Sequence, residues 1–84
     1  MPVITVRYYA GARAAAGVPS EEIELPAGAT VADALALITE RHGEALGKVL
    51  AACSFLLDSV AVRDHAAQLP SGAELDILPP FAGG

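Results

Sequence analysis

Alternation of apolar and polar residues predicts the β-strands of this chain. At the start, even-numbered positions up to Tyr8 are apolar while Thr5 and Arg7 are polar, so one face of a strand would be buried. Near the end, Glu74 and Asp76 are predicted to face outward between inward-facing apolar residues. Five strands are predicted in all: 3–9, 22–25, 54–57, 60–62 and 73–78.

Apolar residues that recur every three or four positions predict one main helix after the second strand. Thr30 stands where an N-cap belongs, because its hydroxyl can accept the amide hydrogen of residue 33. Asp33 adds negative charge to the first turn, and Gly43 follows His42 where a helix-ending glycine is favoured. The predicted helical segments are the main helix at 31–42, a turn at 11–16 and an irregular stretch at 44–52.

The predicted order of elements is β-β-α-β-β-β, which indicates the α+β class. A single main helix covers one face of a sheet, so the other face would meet water or a partner. With 84 residues the chain is one domain. We divide it into a folded domain at residues 1–78 and an extended tail at residues 79–84.

The composition limits how much chemistry such a domain can enclose. Hydrophobic residues make up 54% of the chain, but 18 of them are alanine and only 23 are Leu, Ile, Val or Phe. The core is therefore real but modest, and it leaves little room for an enclosed active-site cavity.

Charge, cysteine content and hydropathy exclude several classes of protein. A net charge of −5 argues against binding a nucleic-acid backbone and favours partners with basic surfaces. No apolar run is long enough for a membrane span, and no signal peptide is recognisable. One cysteine and two histidines build neither a disulfide framework nor a zinc site, and we expect a cytoplasmic protein.

The ending of the chain, residues 78–84, is its most unusual feature. It reads Leu-Pro-Pro-Phe-Ala-Gly-Gly and carries no side-chain charge, unlike the polar ends of most domains. Pro79 and Pro80 favour an extended exit from the last strand. Gly83 and Gly84 lack a side chain, so they fit a channel too narrow for other residues. Chance alone gives a Gly-Gly ending in roughly one chain in 200.

These properties point to the terminal carboxylate of Gly84 as the reactive group. An α-carboxyl group has a pKa of about 3.5, so at neutral pH it is a carboxylate and a poor electrophile. It would need activation, and an acyl-adenylate is the form we predict. Because the chain has no glycine-rich phosphate loop, a partner enzyme would bind the nucleotide. The activated carboxyl would then accept sulfur or an amine.

The first strand, the Thr30-capped helix, the last strand and above all the ending resemble the small subunits of molybdopterin synthase. Those subunits belong to the ThiS/MoaD family of ubiquitin-like sulfur carriers, and they typically end in Leu-Pro-Pro, two variable residues and Gly-Gly. The resemblance covers essentially the whole chain, and the ending is its specific part. It implies a ubiquitin-like β-grasp fold, with a mixed sheet of four to five strands packed on one main helix.

The resemblance also implies a function in molybdenum cofactor biosynthesis. Gly84 would be adenylated with ATP by an enzyme similar to those that activate ubiquitin, and then converted to a thiocarboxylate. The tail would enter a large, MoaE-like subunit and give its sulfur to cyclic pyranopterin monophosphate, within a heterotetramer of small and large subunits. Gly83 would thread the channel, and the chain itself would bind no cofactor and no metal. The partner contacts would be Pro79, Pro80, Phe81 and Ala82.

Two turns depart from the usual pattern of the family, and other functions stay open. Relatives often have Asn-Gly where this chain has Asp58-Ser59, and Gly-Asp where it has Gly72-Ala73-Glu74. The residues found here are also tolerated in turns. Similar thiocarboxylate carriers serve thiamine or cysteine biosynthesis. A ubiquitin-like modifier, joined to lysines through Gly84, or a plain interaction module is a further alternative.

Three other residues are candidates for chemistry, each with a simpler structural interpretation. Cys53 could be a persulfide nucleophile, but a cysteine in an apolar stretch more often packs in the core. His42 and His65 are interpreted as a helix-end cation and a loop residue rather than as metal ligands.

Several charged and apolar residues are expected at the surface. The acidic residues of the second strand and its lead-in are interpreted as solvated: Glu21, Glu22 and Glu24. Two basic residues could meet a partner but are equally explained as ordinary surface residues: Arg7 and Arg13. Three apolar residues are either core or a docking patch on the open face of the sheet: Tyr9, Leu56 and Leu78.

Overall fold

The computed structural model describes residues 2–80 and contains a five-stranded sheet with three helices on one side. The strands are β1 (Val3–Tyr8), β2 (Ser20–Glu24), β3 (Ser54–Leu57), β4 (Val60–Ala61) and β5 (Glu74–Leu78). The helices are α1 (Ala10–Ala16), α2 (Val31–His42) and α3 (Glu44–Leu50). The predicted α+β class is confirmed.

The strands pair in the order β2-β1-β5-β3-β4. β1 and β5 run parallel, and every other neighbouring pair is antiparallel. The first and last strands of the sequence therefore lie side by side at the centre of the sheet, and both end at the same side of it. This arrangement places the residues after Tyr8 beside the exit of the tail.

The core lies between the sheet and the helices, because the predicted alternation holds in the central strands. Ile4, Val6, Leu75 and Ile77 are all fully buried. The helices add the buried residues Ala12, Val31, Ala34, Ile38, Leu46 and Leu50. The two short helices, which the sequence predicts only as a turn and an irregular stretch, thus help α2 to cover the same face.

The predicted cap of α2 is confirmed and is more complete than a single hydrogen bond. Thr30 Oγ1 accepts the amide hydrogen of Asp33 at 3.3 Å, and Asp33 Oδ2 accepts that of Thr30 at 2.9 Å. This is a capping box in which aspartate takes the place of the usual glutamate. At the other end, Gly43 has a left-handed φ of 94°, as expected for the residue that ends a helix.

Element boundaries differ from the predicted ones by one or two residues. Tyr9 is not in β1 but is the N-cap of α1, and its carbonyl accepts the amide hydrogens of Ala12 and Arg13. β2 begins at Ser20, two residues earlier than predicted. β2 ends at Glu24, so Leu25, the last residue of the predicted strand, lies just beyond it. Leu25 is nevertheless buried.

We expect Ser59→Gly to raise the free energy of unfolding by about 1 kcal/mol, measured by urea denaturation. Asp58 and Ser59 form the two-residue turn between β3 and β4, with left-handed φ values of 48° and 69°. Glycine adopts such a conformation without the steric cost that a β-carbon adds. Asp58→Gly should not stabilise, because Asp58 Oδ1 accepts the amide hydrogen of Glu74 at 2.9 Å. A destabilised Ser59→Gly variant would refute this explanation.

Candidate functional site

The described chain leaves the sheet beside an apolar cavity of about 280 Å³, which we call the tail-root cavity. It is lined by Tyr9, Ala10, Leu78, Pro79 and Pro80. Tyr9 is exposed, while Leu78 and Pro79 are half-buried. An apolar, partly open cavity at this place suits contact with an apolar group of another molecule better than it suits catalysis.

The parallel pairing of β1 and β5 builds the tail-root cavity. The amide of Tyr9 donates to the carbonyl of Ile77 at 3.3 Å, which fixes Tyr9 next to the last residue of β5. Ala10 then takes a left-handed φ of 49°, so the chain turns sharply from β1 into α1. Pro79 and Pro80 have no amide hydrogen, so they cannot extend the hydrogen bonding of β5, which ends at Leu78.

The structure brings together some of the residues that the sequence predicts as a site. Pro79 and Pro80 line the tail-root cavity together with two members of the predicted apolar patch, Tyr9 and Leu78. Leu56, the third member, is not in the cavity and pairs with Asp76 on the sheet. The other predicted site residues lie outside the described part of the chain, so their roles stay predictions: Phe81, Ala82, Gly83 and Gly84.

The open face of the sheet holds an ion pair at its centre that the sequence does not predict. Arg7 Nε and Nη2 donate to the two carboxylate oxygens of Asp76 at 2.7 and 3.0 Å. Glu74 Oε2 lies 3.7 Å from Arg7 Nη1. The hydrogen bonds and charge of Asp76 raise the pKa of Arg7 above its ordinary value. Asp76 does face outward as predicted, but it is only 7% exposed because Arg7 covers it.

A second polar cluster, centred on Glu21, lies where the edge of the sheet meets the end of α2. Glu21 Oε2 accepts the hydroxyl hydrogen of Tyr8 at 2.6 Å and contacts His42 Nε2. Glu21 Oε1 accepts from Arg41 Nη1 at 2.9 Å. The cluster therefore joins β1 and β2 to the last turn of α2.

The interpretation of Glu21 as a solvated residue is wrong, whereas Glu22 and Glu24 are indeed exposed. Glu21 pairs with the inward-facing Val6, so its side chain lies on the helix-covered side. Burial by itself would raise the pKa of Glu21, but the hydrogen bonds from its three partners outweigh burial and lower the pKa. Burial and the hydrogen bond to Glu21 raise the pKa of Tyr8 far above its ordinary value.

Cys53 and His65 have the structural roles expected of them. The half-buried thiol of Cys53 donates to the carbonyl of Val49 at 3.1 Å, and burial raises its pKa, which disfavours the nucleophilic thiolate. His65 lies in a loop and packs edge to face on Phe55, with ring centres 5.4 Å apart. Within residues 2–80, no group of three or more His, Cys, Asp or Glu side chains is placed to hold a metal ion. Across the same residues, no helix has the length and apolar character to cross a membrane.

Known proteins resemble this chain over nearly its whole length. Residues 6–84 match the model of the ThiS family. The molybdopterin synthase sulfur carrier subunit of Chlamydomonas reinhardtii is 40% identical over 82 residues, which are 96% of this chain and 98% of that protein.

Solved structures agree with this assignment. Molybdopterin converting factor subunit 1 of Pyrococcus furiosus has a TM-score of 0.87 and 30% identity, covering 96% of this chain and all of that one. Small archaeal modifier protein 1 of Methanosarcina acetivorans has a TM-score of 0.81 and 26% identity, covering 100% and 98%. A complex of subunits 1 and 2 of the Helicobacter pylori molybdopterin-converting factor shares the fold, with a TM-score of 0.74, 21% identity and coverage of 98% and 99%. The ubiquitin-like β-grasp fold is thereby confirmed, and the chain belongs to the ThiS family as a homologue of the molybdopterin synthase sulfur carrier subunit.

Proposed function

We propose that this chain is the sulfur carrier subunit of a molybdopterin synthase and that the carboxyl group of Gly84 carries the sulfur. The observation that carries the proposal is the 40% identity to a sulfur carrier subunit over nearly the full length of both chains. The uncharged Gly-Gly ending supports it, because such an ending can enter a narrow channel.

The chemistry begins at the carboxylate of Gly84. One of its oxygens attacks the α-phosphorus of an ATP that the activating enzyme binds, and pyrophosphate leaves. A sulfur nucleophile at the oxidation level of sulfide then attacks the acyl carbon, and AMP leaves with one of the original oxygens. The carrier contributes a tail that enters its partner and a terminus without side chains, and in this proposal it holds no cofactor itself. Its thiocarboxylate then gives sulfur to cyclic pyranopterin monophosphate in molybdenum cofactor biosynthesis.

The tail-root cavity is the proposed contact for the large, MoaE-like subunit, in a heterotetramer of two small and two large subunits. The apolar lining contributed by Tyr9 and Leu78 would accept an apolar side chain of that subunit and hold the tail at the mouth of its channel. The two-subunit complex of the Helicobacter pylori factor supports an assembly of this kind.

We expect Tyr9→Ala to weaken binding of the purified large subunit at least tenfold, because the variant removes a large apolar wall of the tail-root cavity. The fold should survive, since Tyr9 is already 39% exposed. Isothermal titration calorimetry would measure the affinity. Val60→Ala is the control, because Val60 is 68% exposed on the far edge strand. Equal affinity of the wild-type chain and Tyr9→Ala for the large subunit would show that the tail-root cavity is not part of the interface.

Intact-mass measurement tests the proposed function. The chain is incubated with the activating enzyme, ATP and sulfide, and exchange of one oxygen for sulfur should add about 16 Da. No mass change, under conditions that charge a known carrier, would refute the thiocarboxylate mechanism. Co-purification with a thiazole synthase or a cysteine synthase instead of the large subunit would indicate that the sulfur serves thiamine or cysteine biosynthesis.

A second candidate function, protein modification, is favoured by the likeness to the archaeal modifier at 26% identity. In that case the activated carboxyl of Gly84 would join the amino group of a lysine. The two functions differ in product, because a modifier leaves an isopeptide bond to Gly84 on target proteins. Peptide mass spectrometry of conjugates distinguishes this product from a thiocarboxylate.

A further inference from the structure

The outer edge of β2 pairs with no other strand in the described part of the chain. Within residues 2–80, β2 and β4 are the outermost strands of the sheet, and only β1 pairs with β2. β4 has two residues, whereas β2 has five, which is long enough to hold an added strand in register.

Hydrogen bonds next to β2 show which of its backbone groups point outward. The amide of Tyr8 donates to the carbonyl of Pro19 at 2.9 Å, and the amide of Leu25 donates to the carbonyl of Pro2 at 3.0 Å. Because antiparallel pairs alternate, the odd-numbered residues of β2 bond to β1. The amide hydrogens and carbonyls of the even-numbered residues therefore face outward, and these residues are Ser20, Glu22 and Glu24.

The side chains along this edge discriminate between possible added strands. Glu22 and Glu24 pair with Thr5 and Val3, so they lie on the open face of the sheet, and both are exposed. If two copies of β2 paired edge to edge in an antiparallel manner, glutamates would lie opposite or next to glutamates, which is unfavourable. Pairing with a strand that carries basic side chains is favourable instead, because its positive charges complement the carboxylates of Glu22 and Glu24.

A groove on the helix side of the same edge adds a second point of contact. It lies between the end of β2, the following turn and α2, and its volume is about 440 Å³. Its apolar lining includes Leu25 and Leu37, and Asp33 and Glu40 also line it. An apolar side chain of an added strand would pack on these leucines, because the residues between the basic ones point to the helix side of the sheet. The nearby cation on α2, Arg41, is held by Glu21.

We propose that the edge of β2 binds an extended basic segment of a partner protein, which adds to the sheet as a sixth strand. Main-chain hydrogen bonds to the outward-facing groups would give affinity, and alternate lysines and arginines would give specificity. β1 lies between β2 and β5, so such a segment leaves the tail root accessible. The edge of β2 is therefore expected to bind the segment whether or not a partner holds the tail, and this binding does not depend on the function of Gly84.

Solution NMR of the full-length chain tests the proposal, with the synthetic peptide acetyl-Arg-Val-Lys-Ile-Arg-Thr-Lys-amide as probe. We expect saturable 1:1 binding, with hydrogen exchange at the outward amides of Glu22 and Glu24 slowed at least tenfold. The inward amide of Ile23, already bonded to β1, should change little. Absence of binding at millimolar peptide, or binding without protection of the outward amides, would overturn strand addition.

Variants separate strand addition from general charge attraction. The double change Glu22→Lys and Glu24→Lys should lower the affinity for the peptide at least tenfold. The control is Glu44→Lys with Asp64→Lys, which makes the same change in net charge away from β2 and should retain most of the affinity. Glu22→Pro removes one outward amide hydrogen without removing a bond to β1, and it should also weaken binding. Equal losses in both lysine variants, or full affinity of Glu22→Pro, would overturn the proposal.

Discussion

Deletion of Gly84 is expected to abolish sulfur loading while the stability of the protein stays unchanged. Gly84 has no side chain, so its removal should take no apolar group from the core. The shortened chain still ends in a carboxylate, on Gly83, but that group is about 3.5 Å short of its proper position. Since misplacement of a reacting atom by 1 Å can cost about a hundredfold in rate, loading should fall below detection.

The measurement combines intact mass with urea denaturation of the same sample. Gly84→Ala is the informative control, because it keeps the length and the carboxylate and adds only a β-carbon. We expect this variant to load sulfur slowly, since the added methyl group would crowd the adenylation site of the activating enzyme. Normal loading of the shortened chain would contradict the assignment of Gly84 as the reactive residue, whatever the behaviour of Gly84→Ala.

The parts of the fold that depend on local sequence could be predicted from it. The helix from Val31 to His42 is correct at both ends, because Thr30, Asp33 and Gly43 act within one turn of the chain. The faces of the central strands also follow directly from their alternation. The ending that is proposed to react is also a local feature, since its proposed chemistry needs only the carboxylate and the absence of side chains, but its role stays a prediction.

The polar clusters could not be predicted, because they depend on which strands become neighbours. Arg7 and Asp76 are 69 residues apart and meet only because β1 and β5 pair in parallel. The same pairing brings Tyr9 to Leu78 and so creates the tail-root cavity. The error at Glu21 has a smaller cause: the predicted strand begins at Glu22, which leaves Glu21 in a solvated lead-in, whereas β2 begins at Ser20 and holds Glu21 on its inward side.

Glu21→Ala is expected to lower the free energy of unfolding by about 2 to 4 kcal/mol, because it leaves the buried hydroxyl of Tyr8 and the ring of His42 without their acceptor. The bond to Arg41 should contribute little of this, since the arginine side chain is 44% exposed. Glu22→Ala, one residue along the same strand, should change stability by less than about 0.5 kcal/mol because its side chain is exposed. Urea denaturation at neutral pH would measure both variants.

The effect of Glu21→Ala should also depend on pH in a defined direction. The folded protein holds the pKa of Glu21 below its ordinary value of 4.5, so ionised Glu21 stabilises the fold fully at pH values above 4.5. That contribution is lost as the pH falls through the lowered pKa, because the folded state then takes up the proton too. The stability difference between the wild-type chain and Glu21→Ala should therefore be largest near neutral pH and shrink on acidification. An unchanged difference at acidic pH would show that Glu21 stabilises through packing, and that its charge contributes nothing to joining α2 to the sheet.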